Sequence, residues 1–170
     1  MGMQRSRTVD YIMPHVTRES KLLDVGSGRG EIALRIAQRT GCTVYGIDSS
    51  GWAVDRARAR SRERGLQDRS IFLKQKAEEL DFPSGYFDLV YSVKVLHETR
   101  HTEALREMHR VLKNVDGRLI LVDWAKGTKT WTFESYFSLD ELEKMVRETG
   151  FVTIESDQRK DVLFLAAKKV

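Results

Sequence analysis

The sequence predicts an α/β fold, a mostly parallel sheet of seven strands flanked by helices and finished by a C-terminal antiparallel hairpin. Three observations predict it. Short apolar runs without polar alternation, the mark of strands buried on both faces, alternate with stretches of helical period. A turn holding Gly26, Gly28 and Gly30 joins the first run to the first crossover helix. The last two runs are separated only by Gln158 to Asp161, a link that permits a hairpin and is too short for a helical crossover.

Taken in order, residues 1–19 are expected to form a short helical extension, a helix near Arg7 to Met13 limited by Pro14. The core is expected over 20–168, and 1–170 as one domain. Strands are expected at Lys21 to Val25, Thr43 to Ile47, Ser70 to Lys74, Phe87 to Ser92 and Arg118 to Asp123. Between them, Glu31 to Arg39 puts Ile32, Ile36 and Ala37 on one side, and Thr102 to Lys113 aligns Leu105, Met108, Val111 and Leu112. Ser138-Leu139-Asp140-Glu141 is a capping box that opens a further helix, with Leu142, Met145 and Val146 inward and Gly150 as its stop. Phe151 to Asp157 and Val162 to Ala167 form the hairpin. The stretch between the fifth strand and the capped helix is about a dozen residues, so the core is expected to carry little lid.

Length and composition bound the function. At 170 residues, 41% hydrophobic and 32% charged, the chain has the content of a globular domain with a substantial core. No apolar run approaches the roughly 18 residues of a membrane span, and the polar start at Met1 to Arg7 lacks a signal peptide's apolar segment, so no membrane role and a cytoplasmic location are expected. Cys42 is the sole cysteine, which excludes an intrachain disulfide and a multi-cysteine zinc site. The net charge of +4 comes mostly from Arg56, Arg58, Arg60, Arg62, Arg64 and Arg69. Without interleaved aromatics for base stacking, this run reads as a solvated helix face, and nucleic acid is not the expected partner.

The ligand can be argued from the glycine turn. A dinucleotide fingerprint is G-x-G-x-x-G, with pyrophosphate resting on the helix N-terminus. Here the third glycine arrives one residue early and Glu31 stands where that fingerprint has glycine, an acid that would repel a diphosphate. Asp24, at the end of the first strand, adds a second negative charge suited to an ammonium group. Asp48, ending the run Val44-Tyr45-Gly46-Ile47, is placed to accept hydrogen bonds from a ribose diol. Adenosine joined to a zwitterionic amino acid meets these demands, which describes S-adenosylmethionine.

From Asp24-Val25-Gly26-Ser27-Gly28-Arg29-Gly30 onward the chain resembles the class I S-adenosylmethionine-dependent methyltransferases, particularly the small-molecule branch that includes the ubiquinone and menaquinone biosynthesis methyltransferases. Gly46-Ile47-Asp48-Ser49-Ser50 is similar to the family's ribose-binding strand end, and Ala77-Glu78-Glu79-Leu80-Asp81-Phe82-Pro83 to its adenine-side loop. Phe87-Asp88-Leu89-Val90-Tyr91-Ser92 looks like its fourth strand. Arg106 to Lys113, followed by Gly117-Arg118-Leu119, resembles the helix, turn and fifth strand after it. The resemblance implies a Rossmann-like sheet and S-adenosyl-L-methionine as cofactor. It implies a cofactor site of Asp24, Gly26, Ser27, Gly28, Gly30, Asp48, Ser49, Ala77, Glu78, Ser92 and Val93. Lys76 departs from the family, which often has an acid there to accept from the adenine amino group.

Methyl transfer from a sulfonium needs in-line positioning, exclusion of water and, for some acceptors, a base. No metal is required. His97 after the fourth strand and Asp123 at the end of the fifth are the catalytic candidates, with Glu98 beside them. His97 equally suits a role bonded to backbone. Trp124, Trp131, Phe133, Tyr136 and Phe137 crowd the acceptor's side, either as a pocket or as packing. A small-molecule methyl acceptor is the expected partner, and the bare mouth leaves room for a homodimer or a partner subunit covering it. The rival readings are a methyltransferase-like binding or partner subunit without its own turnover, and an NAD-linked oxidoreductase.

Overall fold

The computed structural model describes residues 2–129 and 135–170, with side chains from residue 7 onward. Its elements in chain order are α1 (Gly2–Ile12), β1 (Lys21–Val25), α2 (Glu31–Thr40), β2 (Thr43–Asp48), α3 (Gly51–Glu63), β3 (Ser70–Lys74), β4 (Leu89–Val93), α4 (His101–Val111), β5 (Arg118–Trp124), α5 (Leu139–Glu148), β6 (Phe151–Arg159) and β7 (Val162–Lys169). The strands form one sheet in the order β3-β2-β1-β4-β5-β7-β6. Pairings from β3 through β5 are parallel, and β7 runs antiparallel to both β5 and β6. The Rossmann-like sheet with its antiparallel finish is the expected one.

Unalternated apolar strands arise because both faces are covered. In β1, Leu22 packs with Val9 and Ile12 of α1 and with α2 and α3, whereas Leu23 and Val25 join Leu105 and Met108 of α4 and Leu142 and Val146 of α5. Leu34 and Ile36 of α2 are fully buried, each worth roughly 1.5–3 kcal/mol of transfer free energy. The capping box at Ser138 and Glu141 is present in full. Chain direction reverses its spread at β1, whose neighbours are β2 on one side and β4 on the other. Ligands of open α/β sheets bind beyond the carboxyl ends at such a point.

Several expected boundaries shift, among them β6 to Arg159, β7 to Lys169 and α4 to His101–Val111, and two others have clear local reasons. The first helix starts at Gly2, before Arg7, and Pro14 lies beyond it in a 3-10 turn at Met13–His15, where its missing N–H costs nothing. The fourth strand begins at Leu89, because Tyr86 and Phe87 turn their N–H groups to the Val111 carbonyl at the end of α4. Among the described residues, no helix is long and apolar enough to cross a membrane.

Candidate functional site

The glycine turn is tied to the end of β2. Gly26 and Ser27 both donate their N–H to the Ile47 carbonyl, at 2.9 and 2.8 Å, and Gly28 donates to Asp48 Oδ2 at 2.8 Å. Gly26 has φ +78°, and a Cβ there would stand 2.4 Å from the Val95 side chain. Gly28 has φ +53° and open space on its Cβ side, so a ligand can reach that backbone directly. Gly30 serves packing, since a Cβ there would meet the Phe72 ring at 2.7 Å. Gly46 is small for a related reason, with Phe72 and Ser27 pressed against it.

Asp24 is 2% exposed, and register places it beside Tyr91 of β4. Burial pushes its carboxyl up to about 7, the Tyr91 hydroxyl pulls the other way, and the Asp48 charge adds to the rise. The hydroxyls of Ser27 and Ser92 are buried and complete no hydrogen bond within the described residues, whereas that of Tyr91 is turned to Asp24. Buried polar atoms left in this state mark a place where a ligand or water completes the network. Asp48 accepts from Gly28 at one oxygen and from the Ser50 N–H at the other, 2.9 Å. Each carboxylate oxygen keeps a second lone pair, so Asp48 shapes the turn and retains capacity for a diol.

Two cavities meet at Gly26. The larger, about 790 Å³, runs from Asp24, Ser27 and Gly28 past Val93 and Trp124 to the hairpin tip at Arg159–Val162. The smaller, about 430 Å³, is lined by Asp48, Ser49, Ala77, Glu78 and Val95 among others. Thus the expected cofactor residues Asp24, Gly26, Ser27, Gly28 and Val93 face one space, and Gly26, Asp48, Ser49, Ala77 and Glu78 face the other. Gly30 and Ser92 line neither. Burial opposes ionisation of Glu78, but the N–H of Arg100 at 2.9 Å, the Glu78 N–H and the charges of Arg100 and Lys76 together outweigh it, and the carboxyl falls below its ordinary range. Glu31 is not a bare charge: Arg60 reaches it at 3.0 Å and Arg29 at 3.7 Å, which weakens the argument from repulsion.

His97 and Asp123 are brought together. His97 Nδ1 lies 2.6 Å from Asp123 Oδ1, the His97 N–H donates to Oδ2 at 3.2 Å, and the Trp124 N–H donates to Oδ1 at 2.8 Å. Both side chains are nearly sealed, at 2% and 1% exposure, and neither lines either cavity. His97 Nε2 faces Glu98 Oε1 at 3.6 Å, and Glu98 lines the smaller cavity. Of the expected aromatics, Tyr136 packs edge-on to His97 and Phe137 to His101, while Trp131 and Phe133 lie outside the described residues. Trp124 lines the larger cavity with the Lys94 ammonium 3.4 Å above its ring. Among the described residues, no group of three His, Cys, Asp or Glu stands close enough to hold a metal ion.

Sequence reasoning missed several lining residues: Arg7 and Thr8 on α1, Trp52 at the start of α3, and the tip Arg159-Lys160-Asp161. The sequence showed a hairpin but not where its tip lies. The antiparallel register, Trp124 opposite Val162, is what carries the tip to the carboxyl end of β5.

A parallel sheet with a glycine turn at its switch point, one buried acid on the first strand and a second at the tip of the next, defines a protein that holds a nucleoside-bearing ligand across the strand ends. Comparison with known proteins places it further: residues 22–115 match the family described as "Methyltransferase domain", and the chain belongs to that family, within the class I S-adenosylmethionine-dependent methyltransferases. The 27-O-demethylrifamycin SV methyltransferase of Amycolatopsis mediterranei (strain S699) is 32% identical over 157 residues, 84% of this chain and 56% of that protein. The chain spans less than two thirds of the length of the curated relatives it matches. Among solved structures, the [4+2]-cyclase SpnF superposes with a TM-score of 0.88 at 24% identity, over 96% of this chain and 80% of that one. A geranyl diphosphate methyltransferase in complex with SAM superposes at 0.86 with 18% identity, over 99% of this chain and 85% of that one. At these identities the superpositions establish the fold alone.

Proposed function

We propose that this chain transfers the methyl group of S-adenosylmethionine to a small-molecule acceptor. The observation that carries the reading is the pair of cavities joined at Gly26, one ending on the buried Asp24 and the other on Asp48. The residues present fit the cofactor, because the open face of Gly28 and the incomplete hydroxyl of Ser27 lie between those acids. In this reading Asp24 takes the ammonium, the Gly26–Gly30 turn and Ser27 the amino-acid part, and Asp48 with Ser49 the ribose. Ala77 and Glu78 edge the adenine, and Val93 with Ser92 closes the strand-end side. When bound, the cofactor supplies a methyl carbon activated by the sulfonium to which it is attached.

The protein's own contribution is positioning, which supplies several kcal/mol where reacting atoms are held in line. His97 and Asp123 enter as a buried pair at the root of the loop after β4. Asp123 fixes the ring through Nδ1 and Nε2 faces Glu98, so a proton removed from an acceptor reaches the ring by way of Glu98, the member of this group that lines a cavity. Production of S-adenosylhomocysteine with candidate acceptors tests the activity. A second reading, binding without methyl transfer, is favoured by the placement of His97 outside both cavity linings and by the breadth of functions one fold can host, a cyclase among the superposed structures. Cofactor uptake with no product from any acceptor would favour that second reading.

A further inference from the structure

We infer that the acceptor is an anion with an apolar or aromatic body, received at the hairpin end of the larger cavity. This rests on the methyltransferase reading for the word acceptor, though the binding claim can be measured without it. The cavity extends well beyond the glycine turn. Its far end is assembled from α1, the end of β4 and the β6–β7 hairpin, which contribute Arg7, Lys94, Arg159 and Lys160. Arg159 is paired with Asp157 at 2.7 Å, and against the other three cations the same end carries one carboxylate among the described residues, Asp161. The other two acids on the lining are engaged elsewhere, Asp24 beneath the glycine turn and Glu31 with Arg60 and Arg29.

The walls between the cations are aromatic. Trp52 is 65% exposed, Trp124 lies under the Lys94 ammonium, and Phe164 lies 5.3 Å from the Arg159 guanidinium carbon. Lys94 has φ +60° and Lys160 φ +55°, left-handed conformations that residues other than glycine rarely adopt. Of the three non-glycine residues with positive φ among the described residues, two are lysines on this one lining and the third, Asp116, lies elsewhere. A cleft with cations on low-dielectric walls focuses a positive potential and concentrates anions at its mouth. The aromatic faces beside Lys94 and Arg159 give the apolar part of the ligand something to stack on. A sulfonium held at the glycine turn would add to that potential, so the arrangement disfavours a cationic acceptor twice over.

The test is calorimetry on the full chain saturated with S-adenosylhomocysteine, titrated with 2-naphthoate, with its neutral analogue 2-naphthamide and with 2-naphthylmethylammonium. The expected result is roughly tenfold tighter binding of the carboxylate than of the amide near 50 mM salt, shrinking as salt rises. Arg7→Glu with Lys160→Glu should bring that preference below about twofold while S-adenosylhomocysteine affinity holds within the same factor. Lys160→Asn, which tolerates the left-handed turn, gives a second variant with a smaller loss in the same direction. Equal binding of the amide or the ammonium, or a preference that survives both variants, would overturn the inference. Failure of the S-adenosylhomocysteine titration would instead count against the methyltransferase reading, and the naphthoate comparison on the bare chain would still decide the anion claim.

Discussion

Asp24 is the residue whose chemistry the fold changes most. Its carboxyl is raised from 3.8 to about 7 mainly by burial, so between those values the folded chain binds a proton that the unfolded chain has released. Stability of the cofactor-free protein therefore falls as pH rises from about 4 to about 7, by on the order of 4 kcal/mol if the group acts alone. A bound ammonium favours the ionised form, so cofactor affinity should climb across pH 5 to 7, where calorimetry can follow it. Asp24→Asn should abolish that climb and flatten the stability profile, read as melting temperature against pH; a climb unchanged in the variant would contradict the assignment. His97 gives a second residue-scale test. His97→Asn should lower turnover by about a hundredfold with cofactor affinity kept within threefold, if the ring takes a proton. Equal losses in turnover, affinity and melting temperature would mark it as a positioning residue. Asp24 and Asp48 were legible because their spacing around the glycines is local in sequence. Tyr91 was not, because its place beside Asp24 depends on the register between β1 and β4.

At the scale of elements, the turn between β1 and α2 separates two uses of glycine. Gly26→Ala forces a Cβ to 2.4 Å from Val95 at a left-handed φ, and overpacking with strain should cost about 2–4 kcal/mol, measured by denaturant unfolding. Gly28→Ala meets open space and should cost about 1 kcal/mol in stability while lowering cofactor affinity. If the two variants were equally destabilised and bound cofactor equally well, the division between a packing glycine and a ligand glycine would be wrong. Strand and helix identities were readable because burial on both faces leaves unbroken apolar runs. Their ends were not, since Phe87 has strand composition but its N–H is claimed by α4. The capping box was readable to the residue, because its hydrogen bonds lie within one turn.

The whole molecule is a sheet whose halves part at β1, with helices α1, α2 and α3 on one face and α4 and α5 on the other. That order brings the ends of β1, β2, β4 and β5 to one edge, and the antiparallel pair adds the hairpin tip to it. The cations of α1 and of the hairpin are more than a hundred residues apart in sequence, so only the closed sheet shows that they share a cavity. The account stands on that edge holding S-adenosylmethionine between Asp24 and Asp48. Titration of S-adenosylmethionine into the wild-type chain and into Asp24→Asn and Asp48→Ala tests it most directly. The account predicts saturable heat with the wild type and at least a roughly tenfold weaker affinity in each variant, the loss expected when a charged hydrogen-bonding partner is removed. Absence of heat with the wild type, or affinities unchanged by both substitutions, would contradict it.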